Sequence, residues 1–343
     1  MTQRWPALSL LAVLALAACT TTPDREAPVT SRPSAPSVTG GLAKYMDERA
    51  RVERVGFRLR KAAASDCAER KQTKLDIGLV VWSLENFQNP EDRARLAGDF
   101  ELTNAVTVAL AVDGAPASSV GVGKGKIITH VNGEPVGEGK GATERYIARA
   151  ATAAKQGVVR LTLKDGNEAA ITPATVCEFP TLLVRSPDIN AAADGNVLAI
   201  TSGLFELTNS DDEVALILGH ELAHNVLRHL ELVKSAKPAP GTLLDAFAKS
   251  AIGTAVAATI NRPFSVQYEK EADYAGLYFM ARAGYDIDAA AGFWKRLNET
   301  LKAKSVAATH PTGPERLRAI ETTIAEIKAK QKKGQPLTLK PRR

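Results

Sequence analysis

Between residues 41 and 65, apolar side chains fall at Leu42, Tyr45, Met46, Val52, Val55 and Leu59 among mixed charges. That spacing predicts one amphipathic helix packing on a later part of the chain. From 76 to 176 the period shortens to β-rich runs at Ile77–Trp82, Val106–Val112, Ile127–Val131, Val158–Leu163 and Ala169–Thr172. Asp113-Gly114, Asn132-Gly133 and Asp165-Gly166 punctuate them, so a small, mainly β domain is expected, with one helix near 142–155. In the second half, Ser210-Asp211-Asp212-Glu213 reads as a capping box that opens onto apolar Val214–Leu218, which predicts a helix. The alternating segment Asn196–Ser202 before it reads as an edge strand. A second helix is expected from near Pro263 or Ser265, stopped by Gly284. Gly241–Ile260 is apolar with only Asp245 and Lys249 charged, and reads as a helical lid or cleft wall. The expected class is α+β.

The chain has 343 residues, enough for two domains, and its 45% hydrophobic and 24% charged residues exclude a mostly disordered or fibrous chain. No run approaches the length of a spanning helix except a shorter one at the start, which excludes a polytopic membrane protein. The formal charge of +6 is concentrated at the end, where every charge after Glu326 is positive. Residues 328–343 are therefore expected to be a solvated basic tail, and nucleic acid is not an expected partner.

Arg4 precedes an apolar segment, Ala7–Ala18, with the proportions of a signal peptide. It ends Leu16-Ala17-Ala18-Cys19, which resembles the bacterial lipobox. The resemblance implies a lipoprotein signal peptide over 1–19, lipidation at Cys19 and an anchor in the membrane; the alternative is an ordinary secretory signal. Residues 20–40 are rich in Thr, Pro and Ser and read as a flexible tether. Thr20 resembles the residue after the Cys in outer-membrane lipoproteins, which implies the periplasmic face of that membrane. Of the three cysteines, Cys67 and Cys177 remain as an even pair in an oxidising compartment and are expected to form a disulfide, or else to be two buried thiols. Such a bridge would close a loop of about 110 residues, nominally worth about 4–5 kcal/mol by the chain-entropy model.

His220-Glu221-Leu222-Ala223-His224 carries the strongest chemistry. Two imidazoles at i and i+4 share one helix face and converge on one ion, with Glu221 beside them as a general base. A catalytic zinc needs a third protein ligand and an open fourth position. In Tyr268-Glu269-Lys270-Glu271-Ala272-Asp273, Glu269 and Asp273 are again i and i+4, whereas Glu271 lies about 200° around the helix. Glu269 is expected to be the third ligand, and Asp273 its companion that holds a ligand His in the correct tautomer. A metzincin would require a further His where Leu230 stands, so His229 reads as structural.

Two family resemblances follow from these residues. Pro116-Ala117, Val120-Gly121-Val122, Gly125-Lys126-Ile127-Ile128 and Val131-Asn132-Gly133-Glu134-Pro135-Val136 resemble the middle of a PDZ domain from a bacterial protease, with Lys126 departing from the usual Asp. This implies a PDZ-like domain over 67–178 that recruits peptides by strand addition, or a packing module that shapes access. The stretch from Pro187-Asp188-Ile189-Asn190-Ala191 through Thr201-Ser202-Gly203-Leu204, the HExxH helix, Glu269–Asp273, Thr309-His310-Pro311 and Glu315-Arg316 resembles the bacterial zinc endopeptidases related to the CAAX prenyl protease and HtpX. It implies a mainly helical zincin domain over 180–327 with a small sheet, a Zn2+ cofactor, and polypeptide substrates. It further implies that Arg316 stabilises an oxyanion and that His310 lines or plugs the cleft, a structural role being the alternative for each.

The expected function is a membrane-anchored periplasmic zinc endopeptidase that hydrolyses unfolded or misassembled envelope proteins. The competing expectation is a chaperone-like or peptide-binding lipoprotein whose zinc site is closed by His310 as a fourth ligand.

Overall fold

The computed structural model describes residues 41–235, 264–303, 310 and 313–340. The expected signal peptide, Cys19, the tether, the apolar segment 241–260 and the last three residues lie outside the described residues.

Helix α1 (Leu42–Ala62) ends at Ala63, and a short α2 (Ala64–Ala68) follows, so the expected single helix over 41–66 is two. Val52, Val55 and Leu59 of α1 are wholly buried, one turn apart, as the apolar stripe requires. A disulfide joins Cys67 in α2 to Cys177 in β8 (Ala174–Cys177), with Cα atoms 5.5 Å apart. β8 pairs antiparallel with β1 (Thr73–Asp76), so the covalent tie and the ladder close the same loop.

Inside that loop lies an antiparallel sheet in the order β2-β3-β4-β6-β7, with β5 also paired to β4. The strands are β2 (Leu79–Trp82), β3 (Val106–Ala111), β4 (Ile127–Val131), β5 (Glu134–Pro135), β6 (Val159–Leu163) and β7 (Glu168–Ile171). Asn132 at φ 49° and Gly133 at φ 82° turn β4 into β5, which is why the Asn-Gly pair stands there. Helix α3 (Pro90–Asp99) precedes β3; α4 (Pro116–Ser119) and α5 (Ala142–Lys155) follow it. Tyr146 and Ala153 of α5 pack on Val106, Ile128 and Leu161 in a core of their own.

A second core joins α1 to the remaining elements. Strands β9 (Thr181–Val184), β10 (Ala191–Ala193) and β11 (Leu198–Thr201) form a small sheet in the order β10-β11-β9. β11 is thus the central strand, parallel to β9 and antiparallel to β10, which corrects the expectation that Asn196–Ser202 is an edge. The edges are β9 and β10, and the three alanines of β10 carry little β propensity and gave no strand signal. Then come α6 (Ser202–Phe205), α7 (Asp211–Val226), α8 (His229–Ser235), α9 (Val266–Arg282), α10 (Ala289–Ala303) and α11 (Pro314–Lys332).

Helix α11 runs past 327, and the chain beyond it docks rather than forming a solvated tail. Leu337 and Leu339 pack on the core, Lys330 donates to the Tyr278 hydroxyl at 2.7 Å, and Lys340 meets Glu326 at 2.7 Å. The two apolar positions anchor the segment, and the lysines find a carboxylate and a phenol on the way.

Candidate metal centre

Ser210 Oγ caps α7 by accepting from the Glu213 amide at 3.3 Å. The Glu213 carboxylate reaches the Asn209 amide, one residue outside the expected box, and also takes Arg296. From Glu213 to Val226 every residue of α7 is buried. Such a helix cannot be placed by an apolar stripe; its neighbours on all sides place it. Asn225 ties it to the small sheet, accepting from the Gly195 amide at 2.9 Å and donating to the Val197 carbonyl at 3.1 Å.

Helix α9 opens with Ser265 Oγ accepting from the Tyr268 amide and ends at Gly284, at φ 76°. It crosses α7 glycine to glycine. A Cβ on Gly276 would stand 2.9 Å from the Gly219 carbonyl carbon and 3.0 Å from the His220 nitrogen, closer than packed atoms tolerate. This crossing brings Glu269 to the two histidines, and no sequence motif announces it. Gly276→Ala is expected to destabilise the protein by about 1–3 kcal/mol and to weaken zinc binding with it, because the helices must part. Thermal melting with and without a chelator checks this; an unchanged melting temperature and zinc content would refute it.

At the crossing, one donor atom each from His220, His224, Glu269 and His310 lies within 4.8 Å of all the others. His220 Nε2 is 3.0 Å from His224 Nε2 and 3.4 Å from Glu269 Oε2, and His224 Nε2 is 3.5 Å from Glu269 Oε1. Ligands on a tetrahedron with bonds of about 2.0–2.1 Å are about 3.3 Å apart, so the donor set fits zinc in both chemistry and spacing. His310 Nδ1 stands at the fourth corner, 3.2 Å from His220 Nε2 and 3.0 Å from Glu269 Oε1. Two helices and His310, from the stretch between α10 and α11, thus meet at one point.

His220 Nδ1 meets Asp273 Oδ1 at 2.9 Å, which leaves Nε2 free to ligate. Burial opposes a charge on His220, yet Asp273 and Glu269 outweigh it and push its pKa up to about 9 when no ion is present. Burial, joined by His220, holds His224 well below the usual imidazole range. Burial pushes the Glu221 carboxyl up, against the pull of His310 and His220. Its Oε2 is buried with no hydrogen-bond partner among the described residues, as suits a base awaiting a water.

Of the two roles expected for Arg316, its contacts are those of the structural one. It is 1% exposed, and its Nε and Nη2 reach Asp273 at 2.5 and 2.9 Å while Nη1 meets Glu269 at 2.8 Å. A guanidinium committed to the carboxylates behind the ligands neutralises and orients them; it does not face a reacting carbonyl. Two partners went unseen in the sequence. His229 is buried against His224, and Glu271 meets His229 rather than the metal cluster.

Beside Glu221 opens a pocket walled by Ala191 of the edge strand, Ile217, Trp294, Leu297 and Leu301. Its lining is mostly apolar, with Glu221 and His310 at the metal side.

Residues 160–324 match the model of Peptidase family M48, a stretch that includes the whole metal cluster. Among characterised relatives, the chain is 30% identical over 160 residues to the mitochondrial metalloendopeptidase OMA1 of Schizosaccharomyces pombe, covering 43% of this chain and 48% of that protein. It is 32% identical over 146 residues to the Arabidopsis thaliana mitochondrial metalloendopeptidase OMA1, covering 40% and 30%. It is 29% identical over 161 residues to the beta-barrel assembly-enhancing protease of Escherichia coli, covering 40% and 33%. The chain thus spans less than half the length of these relatives.

Proposed function

We propose that the protein is a zinc-dependent endopeptidase of the bacterial envelope, tethered through Cys19 to the periplasmic face of the outer membrane, that cleaves unfolded or misassembled envelope proteins. The observation that carries the reading is the quartet at tetrahedral spacing, three of its members buried, with Glu221 beside it and its Oε2 unpartnered among the described residues. A zinc ion bound there supplies Lewis acidity toward a peptide carbonyl and acidifies a water. Glu221 takes the water's proton and passes it to the departing amine, a task that burial favours by pushing its carboxyl pKa up. The edge of β10, held beside α7 and paired with no other strand among the described residues, pairs with an extended substrate backbone, which any unfolded segment offers. Since the amine leaves on Glu221's side, the apolar pocket next to Glu221 receives the side chain of the residue that provides it. The six-stranded sheet with α5 serves as a PDZ-like module that selects clients.

Casein cleavage by the chain lacking residues 1–19 is expected to vanish on dialysis against a chelator and to return with zinc. Cleavage that survives full zinc removal would refute the reading. Cys19→Ser in the full chain is expected to lose lipid labelling and move to the soluble periplasmic fraction; retention in the membrane fraction would refute the anchor.

A second reading has its own support. His310 Nδ1 at the fourth corner of the quartet describes a closed site, so the same cleft could hold clients without cutting them.

A further inference from the structure

We propose that His229 and Glu271 form a relay that fixes the tautomer and orientation of His224, making them positioning residues for the metal. The proposal rests on the metal-binding part of the reading above and not on peptide hydrolysis.

The proton positions follow from the contacts. His224 Nε2 faces His220 Nε2 and Glu269, so it must carry no hydrogen in order to ligate. The hydrogen then sits on Nδ1, which faces His229 Nδ1 at 3.0 Å. His229 Nδ1 therefore accepts, its own hydrogen sits on Nε2, and that nitrogen faces Glu271 Oε2 at 3.4 Å. The chain Glu271, His229, His224 allows one arrangement of hydrogens, and that arrangement presents His224 Nε2 to the ion. His220 has the same support in shorter form, directly from Asp273. Each ligand histidine is thus backed by a carboxylate of α9, and the two carboxylates lie on different faces of that helix.

The local structure is built to deliver His229. Helix α7 stops at Val226, and Arg228 takes φ 57°, a left-handed conformation that costs a non-glycine residue roughly 1–2 kcal/mol. The chain thereby turns into α8 with His229 at its first position, wholly buried beside His224. Tyr268 stacks on the His229 ring with centroids 4.6 Å apart, and Phe264 stacks on His224 at 4.0 Å. Gln267 donates to the other oxygen of Glu271 at 3.0 Å and steadies it. A histidine placed only to fill a core would not require a left-handed arginine before it or a carboxylate behind it.

The test compares zinc dissociation constants, by competition with a chromogenic chelator, for the wild-type chain, Glu271→Ala, Glu271→Gln and His229→Ala. Glu271→Ala and His229→Ala are expected to bind zinc about 10- to 100-fold more weakly, the usual cost of removing a partner of a ligand. Glu271→Gln keeps an acceptor oxygen and is expected to restore most of the affinity. The zinc-free melting temperature of Glu271→Ala is expected to match wild type. Because Glu271 is partly exposed, its two variants carry the test if His229→Ala does not fold. Affinity unchanged within about twofold in Glu271→Ala, or weakened no less in Glu271→Gln, would overturn the relay. So would a loss of affinity matched by a fall in the zinc-free melting temperature. A wild-type protein that binds zinc but cleaves nothing would instead sink the peptidase reading and leave the relay standing.

Discussion

Glu221→Gln is expected to lower casein cleavage by about 10²- to 10⁴-fold, the range attributed to a positioned general base. Zinc content should not change, because Glu221 stands outside the ligand quartet. The amide keeps the size of the carboxyl but cannot take a proton from water. The neighbouring ring, with His310 Nε2 at 3.4 Å, does not replace it, since that ring's other nitrogen points at the ligand corner. Cleavage assays with zinc measured on the same samples read both quantities. Full activity in the variant, or lost zinc, would remove Glu221 from its assigned role.

His310→Ala should act in the opposite direction. His310 is held at the fourth corner by Glu269 and by Arg316, which reaches its carbonyl at 3.5 Å. A protein ligand at the fourth corner takes the position that the reacting water needs, so the closed arrangement holds cleavage down. Removing the ring is expected to raise cleavage by about tenfold or more and to weaken zinc retention modestly. A wild type that is silent and becomes active only as His310→Ala would show that closure dominates. Unchanged or lower activity in the variant would return His310 to a structural role.

The parts of the site that could be read from the sequence are those set within one helix. His220 and His224, like Glu269 and Asp273, are four residues apart, and such pairs share a face whatever the rest of the chain does. The parts that could not be read depend on how helices cross. Glu271 looked excluded because it points away from Glu269, and it does; its partner His229 comes from another helix, redirected by Arg228. Arg316 was left between the substrate and a structural role because the motif gives proximity to the metal but not direction. The same limit explains the small sheet. Alternation along Val197–Thr201 identifies a strand and its faces, yet says nothing of which edges are taken, and Ala191–Ala193 carries no alternation at all. The docked end of the chain was missed because Leu337 and Leu339 are too few to outweigh the surrounding lysines in a reading based on charge.

The buried network around Arg316 also sets the electrical state of the site. Ionised, Glu221, Glu269 and Asp273 bring three negative charges into a region almost closed to water, and among the described residues Arg316 is the permanent positive charge set against them. A divalent cation makes the whole assembly electroneutral, whereas a monovalent or trivalent one leaves a residual charge in a medium that solvates it poorly. Without the ion the protein recovers part of the balance with a proton on His220, whose affinity for it reaches about 9. Zinc and hydrogen ions are therefore rivals for one vacancy of charge, and acid acts on this protein as a chelator does, by making the metal unnecessary.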